Sequence, residues 1–270
     1  TILFEGISKI IAMVLNSLGD YATSEKSGRY TIMSAQGKEA VLYNKWIEKF
    51  SQRIEEVEPR LPEMTRKKLA QENARYILSV FLPATTMSYT TSIRQINYIM
   101  DWCEKYVQNA PESNEYEKRL KDEIKLLGES LKSTSLVVSE LNDTKSRRFE
   151  FLARQTDYKI YNANESFSDS YLIKYDCSLA MLGQAQRHRT IDYFMNFDGN
   201  PKSFYVPKCI VGTSLEKEWL TDLESVKNNT PNATMVQVVE TGLFSKFLLK
   251  CDERLCGRAQ LEIMDNCIEV

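Results

Sequence analysis

Helical periodicity runs almost unbroken through the first half of this chain, and it limits the architecture more than any other feature. Apolar residues recur at three- and four-residue spacing in KEAVLYNKWIEKFSQRIEEVE (38–58), EMTRKKLAQENARYILSVF (63–81) and SIRQINYIMDWCEKYV (92–107), and a charged helix is expected at about 114–132. Each apolar stripe has to be buried against another element. In the second half, DSYLIKYDC (169–177) and ATMVQVVE (233–240) read as strands from their β-branched and aromatic content. SLAMLGQAQR, SLEKEWLTDLESV and LFSKFLLKCDERLCGRAQLEIMDN read as helices. Long helices with a few short strands predict an α+β fold.

The 270 residues accommodate two domains of ordinary size. STSLVVSELNDTKSRR (133–148) mixes polar residues with a short β-branched run and is the expected connection between them. Both halves follow one order: an apolar helix or strand, a polar turn, a long helix, an extended stretch and a final long helix. That order predicts a duplication, with copies at 1–134 and 150–270. Any two α+β halves share such an outline, so the pattern alone leaves the duplication open.

Composition narrows the function. With 43% hydrophobic and 27% charged residues, the chain reads as soluble and globular. A net charge of −2 argues against a general nucleic-acid binder, whose affinity comes from clustered cations, so any bound anion is expected to be small. No apolar run approaches the ~18 residues that span a bilayer. The opening TILFEGISKIIAMVLNSL lacks a basic leader and a clean cleavage site, and it begins abruptly, as though cut from something longer. The six cysteines form no C-x-x-C pair and have no histidine at ligand spacing, which predicts free thiols in a reducing cytosol and no metal site.

The one histidine, His188, lies between Arg187 and Arg189 in GQAQRHRTID. Adjacent cations repel, so the cluster is either a solvated turn or a site for an anion.

Together, QAQRHR and the closing RLCGRAQLEI resemble the flavin-dependent thymidylate synthases, whose signature is R-H-R-x-x-S-x-x-E-x-S-x-R-Y. Arg254 stands five residues before Ala259 of AQLEI, and Gln184 three before Arg187, as in that family. After RHR the signature lapses: Asp192, Met195, Phe197 and Gly199-Asn200 replace its S, E, S and R-Y. The missing part lies in SEKSGRY (24–30), with Glu25, Ser27, Arg29 and Tyr30, whereas Ser17, Leu18 and Gly19 occupy the place of R-H-R. ENARYILSVFLP resembles the family's E-x-A-R helix and puts Arg75 on its substrate arginine. SIRQINY puts Ser92 and Arg94 on its N-x-R flavin motif, while Cys103 takes the place of Arg254 in the first half.

The family builds each active site between subunits, so this resemblance implies two tandem copies of its fold, each with long helices on a small, mostly antiparallel sheet. One live site would then use residues that each copy retains. Glu25, Ser27, Gly28, Arg29 and Arg75 of the first copy and Gln184, Arg187 and Arg254 of the second would bind dUMP. Arg187, Arg254 and Ser27 would act in catalysis, Ser27 as a donor rather than a nucleophile. Arg187, His188, Arg189, Ser92 and Arg94 would hold FAD. The resemblance further implies NADPH and methylenetetrahydrofolate as co-substrates, a cytoplasmic homodimer of pseudo-tetrameric symmetry, and no nucleic-acid or membrane partner. A homologue that binds nucleotide or flavin without turnover, or a structural partner of an active paralogue, is the alternative.

Overall fold

A computed structural model describes residues 1–17, 21–26, 33–138, 141, 170–256 and 259–269. Its strands and helices form two compact units. One comprises Thr1–Lys26, Phe81–Phe151 and Asp198–Asn200; the other comprises Ser27–Val80, Leu152–Phe197 and Pro201–Val270. The second unit therefore draws on both halves of the chain, and its limits differ from the sequence boundaries at 134 and 150. Among the described residues, no helix is long and apolar enough to cross a membrane.

In the first unit, β1 (Ile2–Ile7), α1 (Lys9–Ser17) and β2 (Ala22–Glu25) are followed, after an excursion into the second unit, by β3 (Thr85–Thr90), α4 (Ile93–Asn109) and α5 (Glu115–Lys132). The sheet is antiparallel, with β3 between β1 and β2. Ile10 through Leu15 of α1 are all apolar and buried, and Tyr89 OH of the central strand donates to Leu15 O at 3.2 Å. Ser8 caps α1 by accepting from Ile11 N at 3.4 Å, and its hydroxyl donates to Glu123 of α5 at 2.7 Å.

The second unit begins with α2 (Gly37–Val57) and α3 (Glu63–Ala74). Leu42, Tyr43, Trp46, Phe50 and Ile54 line one face of α2. The helix expected over 63–81 ends at Ala74, and Arg75–Ile77 forms a tight 3-10 turn. Tertiary bonding decides this. The carbonyls of Tyr76 and Leu78 accept from Ala233 and Asn232, Val80 N donates to Thr230 O, and Glu39 accepts from Ser79 N. A helix continuing to residue 81 would forfeit those bonds.

The rest of the unit repeats the order of the first: β4 (Ser170–Ser178), α6 (Leu179–Ala185), β5 (Asp192–Asn196), α7 (Ser214–Glu224), β6 (Met235–Leu243), α8 (Phe244–Arg254) and α9 (Leu261–Glu269). Its sheet is antiparallel too, and again the last strand is central, in the order β4-β6-β5. α6 stops at Ala185 rather than reaching Arg187. The final segment, expected as one helix, is two, because α8 closes on its C-cap Leu255 and α9 starts only at Leu261. Gly257, a weak helix former, falls in that gap.

Two packing devices hold this unit. Trp46 and Phe50 of α2 meet Trp219 of α7 edge-on at 4.7 and 5.4 Å. The indole of Trp46 donates to Asp222 at 2.8 Å, and Lys45 pairs with the same carboxylate at 2.5 Å. The second device is a fully buried ion pair, Lys250 Nζ to Glu240 Oε2 at 2.6 Å. Tyr171 and Tyr175 also donate to Glu240, at 2.8 and 2.6 Å, and the ammonium sits 5.7–5.8 Å from the rings of Tyr175, Tyr193 and Phe247. Removing one partner strands the other charge in the interior. Lys250→Met is expected to cost about 3–5 kcal/mol in urea unfolding, and adding Glu240→Gln should recover most of that loss.

Candidate functional site

Gln260, immediately before α9 and 3% exposed, is the hub of the site. Its Oε1 accepts from Arg75 Nη2 at 2.7 Å and from the amide of Gln184 near the end of α6. Arg75 comes from the first half of the chain and Gln184 from the second, and both belong to the second unit. Two residues on, the buried Glu262 accepts from Tyr76 OH and Ser178 Oγ, both at 2.6 Å, and from Ser178 N at 2.7 Å. Alternate residues at the start of α9 thus grip successive residues of the Arg75–Ile77 turn and both ends of α6. Ser178 also caps that helix by accepting from Met181 N at 3.0 Å.

The electrostatics of this junction are unbalanced. Burial pushes the Glu262 carboxyl up, against its three donors and the charge of Arg75. Burial likewise pushes the Tyr76 phenol well up, with Glu262 adding to the effect. Among the described residues, no carboxylate stands within ion-pair distance of Arg75. Its Nε and the Nε2 of Gln260 are buried donors without a hydrogen-bond partner among the described residues. Unsatisfied donors beside a guanidinium that has no ion-pair partner among the described residues form a place for an acceptor carrying negative charge.

The Arg-His-Arg cluster follows α6 directly. Arg187 and Arg189 are exposed, but His188 between them is buried. Its Nε2 accepts from Arg254 Nε at 2.7 Å, so the ring proton resides on Nδ1, which faces Glu253 Oε2 at 3.5 Å. Burial above all, then the charges of Arg254, Lys250 and Arg187, lower the imidazole to about 3 and keep it neutral. Burial also lowers Arg254. Its contact with His188 leaves both terminal nitrogens of the guanidinium fork without a protein partner among the described residues. Gln184 and His188 stand one turn apart at the end of α6, and Arg254 and Gln260 flank the gap between α8 and α9. The two clusters therefore rest on the same pair of segments.

Of the residues singled out from sequence, Arg75, Gln184, Arg187, His188, Arg189 and Arg254 belong to the second unit. Glu25 is in the first unit, on β2, paired with Lys9 at 2.7 Å. Ser92 is the N-cap of α4 and accepts from Gln95 N at 3.1 Å, and Arg94 is exposed in the first turn of that helix. Ser27, Gly28 and Arg29 lie outside the described residues. Gln260, Glu262, Tyr76 and Ser178 were not anticipated. The signal for two of them was at hand in AQLEI, where Gln260 and Glu262 alternate, and for Tyr76 in the residue after Arg75. Among the described residues, no group of three or more His, Cys, Asp or Glu is placed to hold a metal ion.

No family model matches the chain, and no curated protein matches it.

Because His188 is neutral in the folded protein down to about pH 3, the unfolded chain takes up a proton near pH 6.5 that the folded one refuses. The stability held above pH 6.5 therefore falls as pH drops through the interval down to 3, by at most roughly 1.4 kcal/mol per pH unit. Urea midpoints of the wild type and His188→Asn at pH 7, 5.5 and 4.5 should diverge by that slope, with the variant the less acid-sensitive.

Proposed function

We propose that this chain is a flavin-dependent thymidylate synthase built from two tandem copies, with one nucleotide site assembled from both. The observation that carries this reading is the convergence of Arg75 and Gln184 on the carboxamide of Gln260. These residues lie on opposite halves of the chain, and the resemblance in sequence marks both as nucleotide ligands. Arg75 and Arg254 have no carboxylate at ion-pair distance among the described residues, as suits a site that receives a doubly charged phosphate and the polarised carbonyls of a pyrimidine.

The repeated architecture supports the tandem reading. Ser8 and Ser178 stand 170 positions apart, as do Glu25 at the end of β2 and Met195 in β5. Each serine caps the helix after the first strand and donates to a glutamate of the last helix, Glu123 or Glu262, followed by a fully buried isoleucine in Ile124 or Ile263. Cys103 and Arg254 are each the eleventh residue of the helix that follows the central strand. Cys103 is buried against Gly128, with its thiol pushed up to about 12 by burial, which suits a packing residue in a copy that has lost its arginine.

In this reading Arg75 and Gln260 orient the nucleotide, and Arg254 and Arg187 stabilise negative charge that develops on the pyrimidine oxygens, in the manner of an oxyanion hole. His188 keeps the Arg254 guanidinium in place by accepting from its Nε. The donors present fit a flavin dinucleotide: Arg187 and Arg189 are exposed cations two positions apart, suited to its diphosphate. When bound, the flavin supplies the hydride and one-carbon chemistry between methylenetetrahydrofolate, NADPH and dUMP, so no protein nucleophile is required. The whole enzyme would be a cytoplasmic homodimer holding one dUMP per chain. One observation favours a second reading, binding without turnover: His188 is buried and its Nε2 is taken up by Arg254, so that nitrogen offers nothing to a flavin.

Tritium release from C5-labelled dUMP, with calorimetric dUMP titration alongside, separates the two. The synthase reading expects release dependent on NADPH and methylenetetrahydrofolate, and the second reading expects dUMP binding without release. Arg75→Ala and Arg254→Ala should each weaken dUMP binding by about 10- to 100-fold, since each removes a charge-assisted contact of roughly 1.5–3 kcal/mol. Cys103→Ala should leave affinity unchanged. No dUMP binding by the wild type would refute both readings.

A further inference from the structure

Cys251 of α8 and Cys267 of α9 are free thiols that meet where the two helices pack. The Cys251 thiol donates to the carbonyl oxygen of Cys267 across 3.9 Å, which places the two cysteines side by side where the helices pack. Residues 252–266, which these two cysteines bracket, include Arg254, Gln260 and Glu262. We propose that Cys251 and Cys267 are a disulfide-forming pair, oxidised by hydroperoxides, that locks the α8–α9 segment on which the site is built.

The environment divides the roles. Cys251 is half-buried, whereas Cys267 is buried, so an oxidant reaches Cys251 first. Burial pushes both thiols up, Cys267 to about 11, so the pair rests reduced and reacts slowly. For Cys251 the neighbouring Cys267 and the charge of Lys250 work against that burial. The Cys251 thiolate attacks a peroxide oxygen, the O–O bond breaks, and the departing oxygen leaves as water or alcohol after taking up a proton. The sulfenic acid so formed is attacked by the Cys267 sulfur. The S–O bond breaks, the S–S bond forms, and hydroxide leaves as water with the Cys267 proton. Two electrons pass from the two thiols to one peroxide. Formation of the bond is independent of which ligand the neighbouring residues take.

The test uses the full chain with Cys256→Ser, since Cys256 is exposed and would cross-link molecules. Treatment with hydrogen peroxide followed by alkylation and non-reducing peptide mapping should give a single intramolecular link between 251 and 267. Intact mass should fall by about two daltons, dithiothreitol should restore it, and the oxidised form should melt at higher temperature because a closed loop restricts the unfolded chain. Cys251→Ser and Cys267→Ser should each abolish the link, and Cys177→Ser and Cys209→Ser should not. Sulfinic acid at Cys251 without a cross-link, a link to any other cysteine, or two alkylatable thiols after prolonged exposure would overturn the proposal. If the link forms but dUMP fails to bind even the reduced protein, the pair stands and the synthase reading falls.

Discussion

The carboxylate of Glu262 is the interaction on which the second unit depends. It is a buried acid whose burial raises its protonation range, and it accepts from Tyr76 of the first half and from the Ser178 hydroxyl and amide of the second. A carboxylate in the interior is tolerated only when its oxygens are satisfied, so these donors have to come together as the unit folds. Once Tyr76 and Ser178 are fixed, the Arg75–Ile77 turn and α6 have little freedom, and Arg75 and Gln184 arrive at Gln260 as a consequence.

The first unit contains a simpler version of the same contact, Ser8 to Glu123. There the serine serves as a helix cap and the glutamate accepts from its hydroxyl. In the second unit, the added tyrosine turns a capping bond into a tie between distant parts of the chain. The shared serine–glutamate pair thus belongs to the fold, and the guanidinium, the carboxamide and the donors beside it that lack partners among the described residues belong to the candidate site.

His188 illustrates how position governs chemistry. In sequence it is one of three adjacent cationic side chains, a picture of mutual repulsion. In the structure, the repulsion is relieved because the middle member is buried and neutral and accepts a hydrogen bond from a fourth basic residue, Arg254. The two outer arginines remain exposed. The three residues thus divide: Arg187 and Arg189 are exposed, while the buried histidine between them serves as a support for Arg254.

Periodicity and composition by themselves determined the α+β class, the extents of α2, α4 and α5, and the strands β4 and β6, because local propensity and burial agree in those segments. Arg75, Gln184 and Arg254 were marked instead by the resemblance of their motifs to a known family. Periodicity ran the helix at 63–74 on to residue 81 and joined α8 to α9, and it gave no sign that Gln260 and Glu262 are polar groups with structural work to do. The first and the last of these share one cause, a partner distant in sequence: the 229–233 segment that takes the backbone bonds of residues 76–80, and Tyr76, half a chain away from Glu262. Local pattern carries no record of such partners. Only the tertiary fold decided that one buried carboxamide would receive an arginine from one half of the chain and a glutamine from the other, because the energy that places them comes from satisfying buried polar groups across that separation.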